Sequence, residues 1–337
     1  MKIKHSLSIL FMILLLASCK NGLTIFDQID QETKLEDAVI TGSVNSIVKS
    51  GDKLYASDGN IYAKDVNAVR GWSKIAGPGG TIIKLAADTN KVYALTGEYD
   101  LDTRTYKNKK LFYLDVQNGW ESVVTSNISG EIETIFDDGF GTAYLQAKKD
   151  GTYHYYNISD PSSISPAADI TSTVILRNDN FTVTVNNETV SVTVKQQTSN
   201  LDNGNDDDID EDALYRSTYI SSTRNSASNN NFISDMGTVY SLSYSSAENV
   251  IYAGTSKGLR KLPLTDDRQQ LTGEVLDPPG NWGATISNSQ AFAVLAAGDT
   301  TENAALYTST IKGGSAYAKI NGLWGYYYNR RSNWNRE

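Results

Sequence analysis

Apolar and polar residues alternate along this chain in short runs, and Gly, Asn or Asp interrupts them every few positions. That period of two predicts many short, half-buried strands. One motif starts at a glycine and passes through small polar residues to alternating apolar ones. It reads Gly42-Ser-Val-Asn-Ser-Ile-Val, Gly80-Thr-Ile-Ile-Lys-Leu-Ala, Gly130-Glu-Ile-Glu-Thr-Ile-Phe and Gly237-Thr-Val-Tyr-Ser-Leu-Ser, with looser copies at Gly283 and Thr171. A second is apolar-Tyr-Ala, at Leu54-Tyr55-Ala56, Val92-Tyr93-Ala94 and Ile251-Tyr252-Ala253, with Ala143-Tyr144-Leu145 as a variant. A third is a hexamer with apolar or aromatic ends, beginning at Ile61, Leu111, Tyr153, Leu259 and Leu306. The first two copies add a Gly-Trp pair, Gly71-Trp72 and Gly119-Trp120.

The motifs follow one another in a fixed order, so each unit predicts four strands. The hexamers recur at roughly 45 residues, with one double gap between Tyr153 and Leu259, and repetition on that scale is the mark of a repeat fold. Phe181-Thr-Val-Thr-Val and Thr189-Val-Ser-Val-Thr-Val, joined by Asn186-Asn187, predict a hairpin of the unit hidden in that gap. The expected fold is all-β: a β-propeller of about six four-stranded blades over residues 39–328. A β-sandwich also gives short strands with turns between them, but not this period. Helix is expected to be minor. Residues 19–38 are expected to be a flexible tether, residues 196–231 an acidic, low-complexity insertion, and residues 329–337 a carboxyl-terminal tail.

The amino terminus carries a different signal. Lys2 and Lys4 precede an apolar stretch from Leu7 to Leu16, then Ala17, Ser18 and Cys19. This is the layout of a secretory signal over residues 1–18. Its apolar part, about 10 residues, falls short of the roughly 20 that cross a bilayer. The Leu16-Ala17-Ser18-Cys19 ending resembles the lipobox of bacterial lipoproteins, which implies a diacylglycerol-modified Cys19 holding the chain to a lipid bilayer. Lys20 stands where an Asp favours inner-membrane retention in enteric bacteria, so the outer membrane is the expected location.

Composition narrows the chemistry. The chain has 20 Tyr, 26 Gly, 2 His, 1 Cys and a formal net charge of −9. Loss of the signal moves the charge to about −11 and leaves His154 as the only histidine. Zinc sites need three or four His or Cys-type ligands, and a Cys–His nucleophile needs a free thiol. Neither is within reach. The acidic balance argues against nucleic acid, whose phosphates require clustered Lys and Arg. The run from Asp202 to Asp212 places Asp206, Asp208 and Asp210 at the alternate spacing of a calcium loop. Glu211, however, stands where such a loop needs glycine and Ser217 where it needs an acid, so solvated chain is the expected state.

Two stretches break the repeat in ways that suit binding. The insertion Gly97–Lys110 lengthens one rim and offers Asp100, Asp102 and Arg104. The ending carries Trp324, Tyr326, Tyr328 and Trp334 beside Arg330, Arg331 and Arg336, which fits ring stacking on a sugar or a protein hot spot, or a closing strand whose rings pack inward. Asp65 and Asp115 hold equivalent repeat positions, as structural residues do. Signal, blade-like units and the aromatic Trp-Tyr-Asn-Arg ending together resemble the uncharacterised propeller lipoproteins of spirochaetes such as treponemes. That resemblance implies partners in the periplasm or at the cell surface and supplies no catalytic residues. The expected function is a membrane-anchored, monomeric binding module without catalytic activity or cofactor beyond the lipid, presenting rim loops to an envelope protein, host protein or glycan. The alternatives are a hydrolase or lyase working through acids, with or without calcium, in the central channel, and an assembly scaffold.

Overall fold

The computed structural model describes residues 38–115, 118–137, 141–167, 180–185, 188–200, 214–224, 227–233, 239–248, 250–263, 289–298, 300, 304–311, 321–328 and 334–337. The expectations for Cys19, the signal, the tether, Asp206, Asp208, Asp210 and the motif copies at Thr171 and Gly283 lie outside them. The segment Val39–Glu337 forms one compact unit.

Its described strands form six antiparallel sheets in chain order, five of four strands and one of three. Sheet 1 holds β1 (Ser46–Ser50), β2 (Lys53–Ser57), β3 (Ile61–Asp65) and β4 (Ser73–Ile75). Sheet 2 holds β5 (Thr81–Ala87), β6 (Val92–Asp100), β7 (Thr105–Asp115) and β8 (Gly119–Ser122). Sheet 3 holds β9 (Glu131–Asp137), β10 (Ala143–Lys149), β11 (Thr152–Asn157) and β12 (Ser165–Pro166). Sheet 4 holds β13 (Asn180–Val185), β14 (Glu188–Asn200), β15 (Leu214–Arg224) and β16 (Ala227–Ile233). Sheet 5 holds β17 (Val239–Ser245), β18 (Val250–Thr255) and β19 (Gly258–Pro263). Sheet 6 holds β20 (Gln290–Ala297), β21 (Ala305–Ile311), β22 (Gly322–Tyr327) and β23 (Trp334–Arg336). This is a propeller whose sheets are each built from one continuous stretch of chain.

Side chains from the first strands stitch neighbouring sheets together. Ser46 Oγ accepts from Leu85 N at 3.1 Å, Asp137 Oδ2 from Ala87 N at 3.1 Å, and Ser243 Oγ from Ala296 N at 2.9 Å. Between β1 and β5 the partners advance together, Asn45 to Ile82, Ser46 to Leu85 and Gly51 to Thr89, so the two strands run the same way. The starts of first and third strands, and the ends of second and fourth strands, therefore share one face.

The apolar core lies between sheets. One cluster joins sheets 1 and 2 through Val48, Tyr55, Ile82 and Val92; another joins sheets 2 and 3 through Tyr93, Leu95, Ile135 and Leu145. A third joins sheets 5 and 6 through Tyr252, Leu259, Ala291 and Leu306. The last closes the ring, packing Ile40, Leu54 and Trp72 against Tyr307 and Leu323. The second-strand tyrosine is the shared device. Tyr93, Tyr252 and Tyr307 are the bulkiest fully buried side chains, each reaching from its own sheet to the next. Rings of that size bring about 150–250 Å² of burial apiece.

The sequence reading needs three corrections. Leu306–Ile311 belongs to β21, the second strand of sheet 6, and not to a third strand like the other hexamers. Leu306-Tyr307-Thr308 takes the place of apolar-Tyr-Ala, with Thr for Ala. The span 196–231 is not a single insertion. It supplies the end of β14, all of β15 and most of β16, whose Ser, Thr and Asn side chains hide strands that the backbone ladder nonetheless pairs from Val190↔Arg224 to Asn200↔Leu214. The acidic run lies between β14 and β15. Residues 334–337 are not a tail: β23 pairs with β22, with Trp324 opposite Arg336 and Tyr326 opposite Trp334. The hairpin read from Phe181 and Thr189 stands in its strands, β13 pairing with β14 and Val185 lying opposite Glu188, while Asn186 and Asn187 lie outside the described residues.

Candidate contact surface

The Gly97–Lys110 insertion is a two-stranded ribbon. β5 pairs with β6 only as far as Thr81↔Gly97, and β8 pairs with β7 only from Phe112 to Asp115. Beyond those points β6 and β7 pair with each other alone, from Glu98↔Lys107 to Asp100↔Thr105. A bulge between Thr96 and Glu98, with Asn108 at φ 53°, turns the ribbon as it leaves the sheet. Its tip is tied down. Asp100 Oδ1 accepts from the amides of Asp102 at 2.8 Å and Thr103 at 3.2 Å, and its other oxygen pairs with Lys107. Lys107 first, then those amides, hold the Asp100 carboxyl below its ordinary range. Arg104 sits at φ 54° in the turn. The ribbon base is fixed to sheet 3, where Lys109 Nζ donates to Ile132 O at 2.9 Å.

Of the residues singled out from sequence, Asp100, Asp102 and Arg104 therefore lie together at one tip, with Asp100 occupied in shaping it. Beside the exposed Asp102 and Arg104 the tip also bares apolar side chains, Leu101 at 81% and Tyr99 at 50%, with Tyr99 edge-on to Tyr106 at 5.1 Å.

Trp324, Tyr326, Tyr328 and Trp334 lie on sheet 6, two sheets away from the ribbon. Their rings pack into the junction with sheet 5 and onto one another: Tyr326 meets Tyr328 at 5.1 Å and Trp334 at 5.5 Å. Tyr326 is buried. Trp324 Nε1 donates to Thr310 Oγ1 at 3.0 Å. Of the two readings of this ending, the closing strand is the one the packing follows. Tyr328 also joins a polar knot that sequence reading missed. Glu248 Oε2 accepts from Tyr252 and, at 2.7 Å, from Tyr328, and Glu248 Oε1 accepts from Lys261 Nζ at 2.9 Å. Burial pushes the Glu248 carboxyl up, but these donors outweigh it and hold it low; burial and the neighbouring acid push both tyrosines up. A carboxylate saturated in this way fastens sheets 5 and 6. Asp88 holds the corresponding turn within sheet 2, accepting from Tyr93 at 2.7 Å and from the amides of Asn90 and Lys91.

A second polar group closes the ring between sheets 6 and 1. Lys64 and Glu337 side chains are fully buried, with Nζ 3.7 Å from Glu337 Oε2. Lys64 Nζ donates to Tyr327 Oη at 2.8 Å and to Ala68 O at 2.9 Å, while Tyr327 donates to Glu337 Oε1 at 2.7 Å. The ring centres of Tyr307, Tyr327 and Trp72 surround the ammonium at 4.6, 5.1 and 5.5 Å. Burial lowers the Lys64 amine to about 8, against the opposing pull of Glu337. One signal was there to be read. Lys64 is the fourth residue of its hexamer, where the copy in sheet 2 has Leu114 and that in sheet 3 has Tyr156.

Among the described residues no cluster of three or more His, Cys, Asp or Glu could hold a metal ion, and no helix is long and apolar enough to cross a membrane.

Residues 1–101 match the TP013X lipoprotein family. An uncharacterised lipoprotein of Treponema pallidum (strain Nichols) is 30% identical over 164 residues, 44% of this chain and 43% of the relative. A second uncharacterised lipoprotein of that organism is 35% identical over 52 residues, 15% of this chain and 11% of its own. The chain thus spans less than half the length of the curated relatives it matches. Among solved structures, a virginiamycin B lyase from Staphylococcus aureus aligns over 85% of this chain and 94% of its own, at 10% identity and a TM-score of 0.46. The relatives bear out the resemblance to treponeme lipoproteins.

Proposed function

We propose that this lipoprotein is a contact module of the cell envelope that works without catalysis, meeting another envelope component through the β6–β7 ribbon. The observation that carries this reading is the ribbon itself. It stands clear of a four-stranded sheet, its tip is held in one shape by Asp100, and it exposes Leu101 and Tyr99 to solvent. Holding a protruding turn in one shape serves recognition better than folding. The distribution of acids points the same way. On the described first strands, carboxylates occur only on β9, where Glu133 lies 3.8 Å from Lys109 and Asp137 accepts the Ala87 amide. Paired carboxylates converging from several sheets, as acid-dependent hydrolysis requires, are not assembled there. We assign the chain an outer-membrane location, as Lys20 suggests, and an envelope protein or glycan as the component met.

The test replaces Glu98–Asn108 by a tight turn and compares what the full-length and shortened chains capture from envelope extracts. The expected result is loss of captured components with the stability of the fold unchanged. The same capture by both chains would overturn the ribbon's role.

A further inference from the structure

Among the described side chains, the exposed large hydrophobics gather on one face of the sheets. Among the described residues the large hydrophobics with substantial exposure are Val39 (50%), Tyr99 (50%), Leu101 (81%), Val124 (71%) and Tyr153 (36%). Isolated cases of this kind are ordinary; a shared location is not. Tyr99 and Leu101 lie at the end of a second strand, and Tyr153 lies just past the Asp150-Gly151 turn at the start of a third. Val124 follows β8, and Val39 precedes β1. In sheets that run in the same sense, all four locations belong to one face.

A second, independent observation concerns the path of the chain. It leaves sheet 1 toward the amino terminus at Val39, on that same face, and nineteen residues separate Val39 from Cys19. Even fully extended, a link of that length keeps this face within about 70 Å of an acylated sulfur. Charge does not oppose contact. In a chain of net charge −9, the ribbon from Glu98 to Lys110 carries four basic residues against three acids, and Asp100 is already paired with Lys107. An exposed leucine and tyrosines on a nearly neutral surface suit the headgroup zone of a zwitterionic bilayer, where aromatic rings with a polar end settle.

From these two observations we infer that the face bearing Val39, Leu101 and Val124 lies on the bilayer that holds the anchor, with the β6–β7 ribbon tip seated among the lipid headgroups. This rests on the reading of the ribbon as a contact element, with lipid headgroups in place of the protein or glycan proposed there. The lipid then fixes which way the disc faces: the turns that carry Asp88 and Glu248, at the opposite ends of their strands, are turned to the aqueous phase.

The experiment uses the full acylated chain in phosphatidylcholine vesicles. The native thiol carries the lipid, so an introduced cysteine is the unique site for a nitroxide. Labels are placed by Leu101→Cys, by Val124→Cys, which leaves Leu101 in place, and by Asn90→Cys on the opposite face. Relaxation by oxygen, which concentrates in lipid, is compared with relaxation by a water-soluble nickel chelate. On adding vesicles, the labels at 101 and 124 should lose several-fold in nickel accessibility and gain in oxygen, while the label at 90 keeps its aqueous values. Aqueous values at both 101 and 124 would overturn the inference. If those labels become shielded only when envelope proteins are added, the ribbon meets a protein: the bilayer contact falls and the contact module stands. If they are immersed in bare vesicles while the ribbon deletion leaves captured components unchanged, the bilayer contact stands and capture through the ribbon falls.

Discussion

Removing the Glu337 carboxylate tests how the ring is closed. Among the described strands none is shared between the first and last sheets, so beyond one backbone bond from Ile40 N to Glu337 O at 3.4 Å their junction depends on side chains. At its centre two fully buried charges face each other, Lys64 Nζ and Glu337 Oε2 at 3.7 Å. Breaking one partner of a buried pair costs about 3–5 kcal/mol, because the other charge is left uncompensated, whereas replacing both by apolar or neutral groups is close to neutral. The three rings around Lys64 offset part of this, each by about 0.5–2 kcal/mol. Glu337→Gln should therefore cost about 3 kcal/mol, Lys64→Met a similar amount, and the double variant about 1 kcal/mol or less. For a unit of this size 1 kcal/mol corresponds to about 2 °C, so each single variant should melt roughly 6 °C lower. Urea unfolding reads the free energy and thermal unfolding the melting shift, each followed by tryptophan fluorescence and near-ultraviolet dichroism. The pH dependence gives an internal check. The Lys64 amine titrates at about 8 in the folded protein and at 10.5 unfolded, so between those values the unfolded chain holds more protons. Stability then rises with pH through that window. Above pH 10 the direction reverses, because the buried tyrosines, raised above their ordinary value, keep protons that the unfolded chain loses. Lys64→Met should lack the rise and keep the fall. Single variants each costing under 1 kcal/mol, or costs that simply add in the double variant, would refute the reasoning.

Further tests reach other parts of the fold. Tyr252→Phe removes one of three donors to Glu248 and should cost about 1–2 kcal/mol by denaturant unfolding. Gly130→Ala should destabilise by about 2 kcal/mol or more, since Gly130 lies at φ 100° and a Cβ would come within 2.5 Å of Lys148 O. Gly151→Ala has the same kind of backbone, φ 81°, but open space around it, and should cost only about 1 kcal/mol. Asp100→Ala should speed hydrogen exchange at the Asp102 and Thr103 amides while leaving the unfolding midpoint in place; an unchanged exchange rate would deny that Asp100 shapes the tip.

Much of the fold was legible because the repeat writes each sheet in the same order. The apolar-Tyr-Ala motif marked the second strands of sheets 1, 2 and 5, and those tyrosines proved to be the wedges between sheets. Legibility failed where strands are held by backbone pairing and not by apolar side chains. Ala227–Ile233, rich in Ser and Asn, has little strand propensity of its own and pairs with β15 all the same. Sheet 6 misled for another reason: Thr308 in place of alanine disguised a second strand as a third. The ribbon was visible as an interruption of the period. The Lys64–Glu337 pair was not, because the partners are far apart in sequence, although a lysine at an otherwise apolar repeat position is the kind of local inconsistency that marks a special contact.

The hydroxyl and carboxylate stitches between first strands carry one more consequence. They fasten sheet 1 to 2, sheet 2 to 3 and sheet 5 to 6 close to the axis, while the fourth strands of sheets 1, 2, 3 and 6 are short: two residues in β12, three in β4 and β23, four in β8. Order should therefore decline outward, as in a fan pinned at its handle, with amide protons persisting for the longest times nearest the pin. A stiff prong rising from such a fan keeps its aim while the outer leaves loosen, so orientation and flexibility are governed by different parts of one molecule.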